Sequence, residues 1–231
     1  MGGNAISIED TPWIAAILNE RGKQNCGGAI YDDRVIVTAA HCLEGLVPQD
    51  LRVRIGSSNK TDGGILLNVD RFIIHKDYDK KSNFSVDIGV LLLSSSINLK
   101  DNANVKPIEL AKTAPDVGTQ AFLSGWGRTG YGETDVLKGV TIDIVDMALC
   151  EEEHPQDKLI NELLCAGRLG SKDACVGDSG SPLVANGKLI GVVSTGPECP
   201  HNTVGGVYAN VAVLHDWIVA NAKVIRNLRN Y

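Results

Sequence analysis

Aromatic residues are scarce, with three Phe, three Trp and five Tyr in 231 positions, so burial must fall to aliphatic side chains rather than to large rings. Long apolar runs are missing as well. None approaches the roughly 20 residues needed to span a bilayer, and those present are strand-like, such as Ile88-Gly89-Val90-Leu91-Leu92-Leu93. Basic runs are absent: 22 Lys and Arg against 28 Asp and Glu give a net charge of −6 that is spread along the chain. Nothing there can follow a phosphate backbone, which excludes nucleic acid as an expected partner, and an acidic surface disfavours anionic membranes. No cysteine pair has CxxC spacing and no HxxxH lies beside one, so the six cysteines, an even number, read as disulfides rather than zinc ligands. Repeats, low-complexity tracts and a leader sequence are also not seen; the chain reads as a mature form or one from which a leader has been removed.

What is present is a 43% hydrophobic composition, enough for one large domain or two small ones packed together. Apolar and β-branched runs recur at short intervals: 13–18, 34–38, 51–55, 65–74 and 86–93, then 120–123, 137–145, 181–185, 189–194 and 204–211. Clusters of Gly, Asn, Asp and Ser separate them. Many short strands with turn punctuation predict an all-β barrel or sandwich. The polar, Pro-containing stretch 101–118 is the one boundary between two halves, so two barrels in tandem are expected, at about 14–108 and 119–212. Only the end differs: Val213, Leu214, Trp217, Ile218, Ala220 and Val224 have helical spacing, which predicts a helix over 213–225. Two sequons, Asn59-Lys60-Thr61 and Asn83-Phe84-Ser85, fit a secreted, extracellular chain with N-glycans at Asn59 and Asn83.

Three short motifs carry chemistry. They are Thr38-Ala39-Ala40-His41-Cys42, Val86-Asp87-Ile88-Gly89-Val90-Leu91, and Asp173-Ala174-Cys175-Val176-Gly177-Asp178-Ser179-Gly180-Ser181-Pro182. Attack on an amide needs a serine whose proton a histidine can take, and the histidine needs a carboxylate to hold its tautomer. The order His, Asp, Ser is that of the chymotrypsin class, not of subtilisins or α/β-hydrolases. The segment Gly177 to Ser181 nearly fits the G-x-S-x-G elbow of the latter, but its last glycine is missing and no βαβ pattern surrounds it.

With Cys26-Gly27-Gly28, Ser124-Gly125-Trp126-Gly127 and His215-Asp216-Trp217-Ile218 added, the chain resembles trypsin-like serine proteases over nearly its whole length. The resemblance implies two six-stranded antiparallel β-barrels with a C-terminal α-helix. It implies His41 as general base, Asp87 as its orienting carboxylate, Ser179 as nucleophile and Ser194 as support for Asp87. The backbone N–H groups of Gly177 and Ser179 would form the oxyanion hole. The implied disulfides are Cys26 with Cys42, Cys150 with Cys165 and Cys175 with Cys199. The specificity pocket would be lined by Asp173, Ala174, Val176, Ser194, Thr195, Gly196, Glu198 and Gly206, and Asp173 alone predicts cleavage after Arg or Lys. No cofactor or metal is implied; the loop Gly56 to Gly64 offers Asp62 alone where calcium binders of the family present two glutamates.

The chain also departs from that pattern. It starts Met1-Gly2-Gly3 where the family has an Ile-Val-Gly-Gly type segment whose amino group pairs with Asp178, so a relaxed, zymogen-like oxyanion loop is expected. Thr195 stands in place of an indole, Glu198 in place of a glycine, Ser181 in place of a second glycine and His154 in place of an aromatic, while Pro197 stiffens the same rim. In this respect the chain is similar to inactivated protease paralogues of parasitic mites related to the group 3 mite allergens, which are associated with interference in host complement. Two readings follow: a weak or inactive pseudoprotease that binds host proteins, or an active serine endopeptidase cleaving after Arg and Lys. Either is expected to act as a monomer on protein or peptide partners.

Overall fold

The computed structural model describes residues 3–79, 86–100, 102–127, 134–153, 160–167, 179–195 and 205–228. Six strands close the first barrel: β2 (Ile14–Asn19), β3 (Gln24–Ile30), β4 (Val35–Thr38), β5 (Leu51–Ile55), β6 (Ile65–Ile74) and β7 (Gly89–Leu93). They run in the order β2-β3-β4-β7-β6-β5, antiparallel throughout, and β5 closes the ring on β2. The second ring is β10 (Lys138–Ile144), β11 (Leu163–Gly167), β14 (Gly206–Asn210), β13 (Lys188–Thr195), β12 (Pro182–Ala185) and β9 (Gln120–Gly125), closed by pairing of β9 with β10. The architecture is therefore two closed six-stranded antiparallel barrels, which leave no ring strand with an open edge.

Two short strands attach to the second ring, β1 (Asn4–Ala5) on β10 and β8 (Glu109–Leu110) on β13; the latter pairing is parallel. β8 lies in the stretch read from sequence as a linker. That stretch bonds first to one barrel, through Lys106 N–H to Pro12 O (2.9 Å) and Ile108 N–H to Ile30 O (2.8 Å), and then to the other, through Ala111 N–H to Leu189 O (2.9 Å).

The helices are α1 (Met147–Glu153) and α2 (Val211–Asn227). Asn210 caps α2 by accepting from Ala212 N–H, and Leu214, Ile218, Ala222 and Ile225 form its buried stripe. Although α2 follows the second barrel, it packs across β6 and β7 of the first. This explains why β7 is buried at every residue rather than at alternate ones: one face of β7 meets the barrel interior and the other meets the helix. The start of the chain lies on the second barrel and its end on the first, so the two termini clasp the halves together.

Besides the two-residue strands β1 and β8, three elements escaped the sequence pattern. β3 carries Gly27 and Gly28, which resemble a turn but are needed for close approach: a Cβ on Gly28 would lie 2.6 Å from Ile36 Cγ2. β11 is five residues long and ends in Cys-Ala-Gly. α1 is only two turns long, too short for a periodic signal.

Candidate active site

β4 ends at Thr38 and the chain turns through a single 3-10 turn, Ala40–Cys42, which carries His41. Cys42 is bonded to Cys26 on β3, so the His41 turn is tied covalently to the neighbouring strand. Asp87 lies just before β7 and is buried, with its side chain 6% exposed. Three donors converge on its carboxylate: His41 Nδ1 on Oδ2 at 2.6 Å, His41 backbone N–H on Oδ1 at 2.9 Å, and Ser194 Oγ–H on Oδ2 at 2.7 Å. Burial pushes the Asp87 carboxyl upward, but the hydrogen bonds and charge of His41 together with the Ser194 hydroxyl outweigh it and hold the group below the usual aspartate value. With Nδ1 donating to Asp87, the His41 Nε2 lone pair is left as the acceptor, on a ring 33% exposed.

Tyr78 stands near the same carboxylate. Burial, followed by the charges of Asp87, Glu44 and Asp79, pushes its phenol up to about 12, so it remains neutral at physiological pH.

Ser179 begins a short segment threaded between the barrels. Its carbonyl accepts from Gly27 N–H of β3 at 2.8 Å, Gly180 N–H donates to Val193 O at 2.8 Å, and Val193 N–H donates to Ser181 O at 3.0 Å. Gly180 has φ of +82°, and a Cβ there would lie 2.3 Å from Thr38 Oγ1 and 2.4 Å from Gly27 O; no other residue fits. Thr38 Oγ–H in turn donates to Gly27 O at 2.8 Å. One glycine of β3 thus anchors the Ser179 segment on one side and the strand leading to His41 on the other. Sequence reasoning used Gly27 only as a mark of resemblance; a glycine pair beside a cysteine inside a would-be strand is the signal that could have found it.

The remaining candidate residues divide in two. Thr195, half-buried at the end of β13, pairs with Val207, next to Gly206 on β14. Gly206 packs against the ring of Tyr208, whose phenol is pushed up by complete burial. Cys150 is bonded to Cys165, joining α1 to β11. The other expected positions, Asp173, Ala174, Cys175, Val176, Gly177, Asp178, Gly196, Pro197, Glu198, Cys199, His154 and Asn83, lie outside the described residues, and so does the expected relaxation of the oxyanion loop. Among the described residues, the sole grouping with metal-ligand atoms close together is Cys26, His41 and Cys42, whose sulfurs are bonded to each other and therefore offer no thiolate. No described helix is long and apolar enough to cross a membrane.

A family profile described as Trypsin matches residues 1–218. Trypsin beta of Drosophila erecta is 40% identical over 227 residues, covering 96% of this chain and 88% of that protein. Trypsin alpha of Drosophila melanogaster is 40% identical over 230 residues, and hypodermin-A of Hypoderma lineatum 39% over 230, each covering 97% of this chain and 88% of the relative. Among solved structures, neuropsin, a serine protease expressed in the limbic system of mouse brain, superposes with a TM-score of 0.84 at 30% identity, covering 95% of this chain and 98% of that one.

Proposed function

The chain belongs to the trypsin family of serine proteases, and from that premise we propose that it is a secreted homologue competent for acyl transfer yet weak on ordinary Arg and Lys substrates. The observation that supports this reading is the Asp87 carboxylate, buried and held by three donors, two of them from His41. An ionised carboxylate fixed in that way keeps the His41 tautomer constant and stabilises the imidazolium that forms when the ring takes a proton.

In the proposed reaction, Ser179 Oγ attacks the substrate carbonyl carbon while its proton passes to His41 Nε2. The carbonyl π electrons move onto oxygen, toward the N–H groups of Gly177 and Ser179. Collapse of the tetrahedral species breaks the C–N bond, and the amine leaves with the proton from His41. Water then repeats the sequence on the acyl-enzyme and regenerates Ser179. Weakness is assigned to the pocket on the sequence: Thr195 provides no flat indole, and Glu198 stands where the family pattern has a glycine. Those same substitutions favour the second reading, a pseudoprotease that engages host proteins, complement included, through its loops.

Titration with a small fluorophosphonate, beside a Ser179→Ala control and followed by an Arg-ester assay, tests the proposal. Stoichiometric labelling of the wild type alone with slow ester turnover is expected. Absence of labelling overturns it, and labelling without turnover moves the assignment to the binding-only reading.

A further inference from the structure

Between β5 and β6 the chain makes a loop that is stitched to distant segments. Ser58 Oγ accepts from Ile8 N–H at 2.8 Å, and Ser58 O accepts from Leu137 N–H at 2.7 Å and from Trp126 Nε1–H at 3.1 Å. Lys60 N–H donates to Asp135 O at 3.0 Å, and Asn59 forms a β-bridge with Val136. The backbone at Asn59 is thus fixed from both sides, while Thr61 to Gly64, just beyond the half-buried Lys60, are all exposed.

The Asn59 carboxamide is used at one end only. Its Oδ1 accepts from Thr61 N–H and from Thr61 Oγ–H, both at 2.8 Å. Its Nδ2 has no acceptor among the described residues. An Asn whose carbonyl is bonded within its own turn and whose amide nitrogen has no protein partner can be substituted on nitrogen without loss of a hydrogen bond. Thr134, Asp135 and Val136, which face the loop, are exposed or half-exposed, which leaves room for a bulky polar group.

We infer that Asn59 is an N-glycosylation site of the folded protein, with the oligosaccharide standing over the seam between the β5–β6 loop and the segment 134–136. The donor is an oligosaccharide on a polyisoprenyl diphosphate: the sugar C1–Nδ2 bond forms, the C1–O bond to diphosphate breaks with its electron pair on oxygen, and one Nδ2 proton is released. The inference rests on passage through a secretory pathway, which is part of the function proposed above. Its test supplies that passage, so the two can fail separately.

The full chain is expressed in yeast behind a secretion leader, and the peptide containing Asn59 is mapped in both the secreted and the cell-retained fractions. The expected result is conversion of Asn59 to Asp by peptide N-glycosidase in the larger part of the chains. Loss of one gel-mobility step is expected in Asn59→Gln and Thr61→Ala, retention in Thr61→Ser, and retention of the Asn59 step in Asn83→Gln. Unmodified Asn59 in both fractions of the wild type overturns the assignment, as does a glycan confined to Asn83.

Discussion

Replacing Ser181 by Ala should raise the stability of the folded chain by about 1 kcal/mol. Ser181 is fully buried where the second barrel meets β3, and its hydroxyl has no hydrogen-bond partner among the described residues. Such a group gives up its bonds to water on folding and regains none, at a cost of about 1–3 kcal/mol. Alanine keeps the Cβ and removes only Oγ; the dispersion contacts and small void lost with one atom amount to well under about 1 kcal/mol. The sum favours alanine and corresponds to a rise of about 2–4 °C in melting temperature for a chain of this size. Urea unfolding with disulfides intact measures it, with an unchanged m-value as the check that the unfolded state is the same. A loss of 1 kcal/mol or more in Ser181→Ala would refute the reasoning, because it would mean that the hydroxyl is satisfied in the folded protein. A second variant sharpens the test. A Cβ on Gly27 would lie 2.2 Å from Ser181 Oγ and 3.0 Å from Ser181 Cα, so Gly27→Ala should destabilise by about 1–3 kcal/mol. In the Ser181→Ala background the first overlap is gone and the second stays, so the cost should shrink without vanishing, a measurable coupling between the two sites.

Other outcomes follow from the same contacts. Ser194→Ala removes one of the three donors to Asp87 and should cost about 1.5–3 kcal/mol. Because the folded Asp87 value lies below the ordinary aspartate value, its contribution is present above that ordinary value and lost as pH falls through the folded one; Ser194→Ala should therefore move the acid unfolding midpoint upward, as read by circular dichroism. His75, with its side chain 10% exposed and its ring centroid 4.8 Å from that of Trp217, is lowered by burial first, with Asp77 and Glu162 opposing and Lys76 assisting. Its contribution is complete above about pH 6.5 and declines as pH falls toward the folded value. His75→Phe keeps the ring contact and should flatten the urea midpoint between pH 7 and pH 5, whereas an unchanged slope would assign that slope elsewhere. Arg226 on α2 pairs with Asp32 and with Asp33 (2.7 Å), and its hydrogen bond to Asp33 is the main cause that lowers that carboxyl. The pairs are partly exposed, so Arg226→Ala should cost under about 1 kcal/mol and show chiefly as faster amide exchange near Ile225.

Much of the fold was legible because its strands are built from aliphatic and β-branched runs bounded by turn residues. β5 and β6 match the sequence reading at both ends, and α2 extends it by two residues at each end, Val211–Asn227 against 213–225. β3 was hidden because its glycines answer to side chains on other segments, Ile36 of β4 and the distant Ser181, and no pattern within the strand records such a contact. β8 was hidden because two residues pairing in parallel with β13 carry no periodicity. In the candidate site, motif chemistry pointed to His41, Asp87 and Ser179, but nothing local linked Ser179 to Gly27.

By itself the sequence determined the class of the fold, the helix at its end and the types of side chain set aside for chemistry, since those follow from periodicity, turn chemistry and the acid–base needs of amide attack. The tertiary structure alone decided how the Asp87 charge is kept buried, which glycine anchors the Ser179 segment, and how the chain ends clasp opposite barrels. Each of these depends on groups brought within about 3 Å across many intervening residues, and a hydrogen bond at that range is a property of the folded chain, not of any stretch of it.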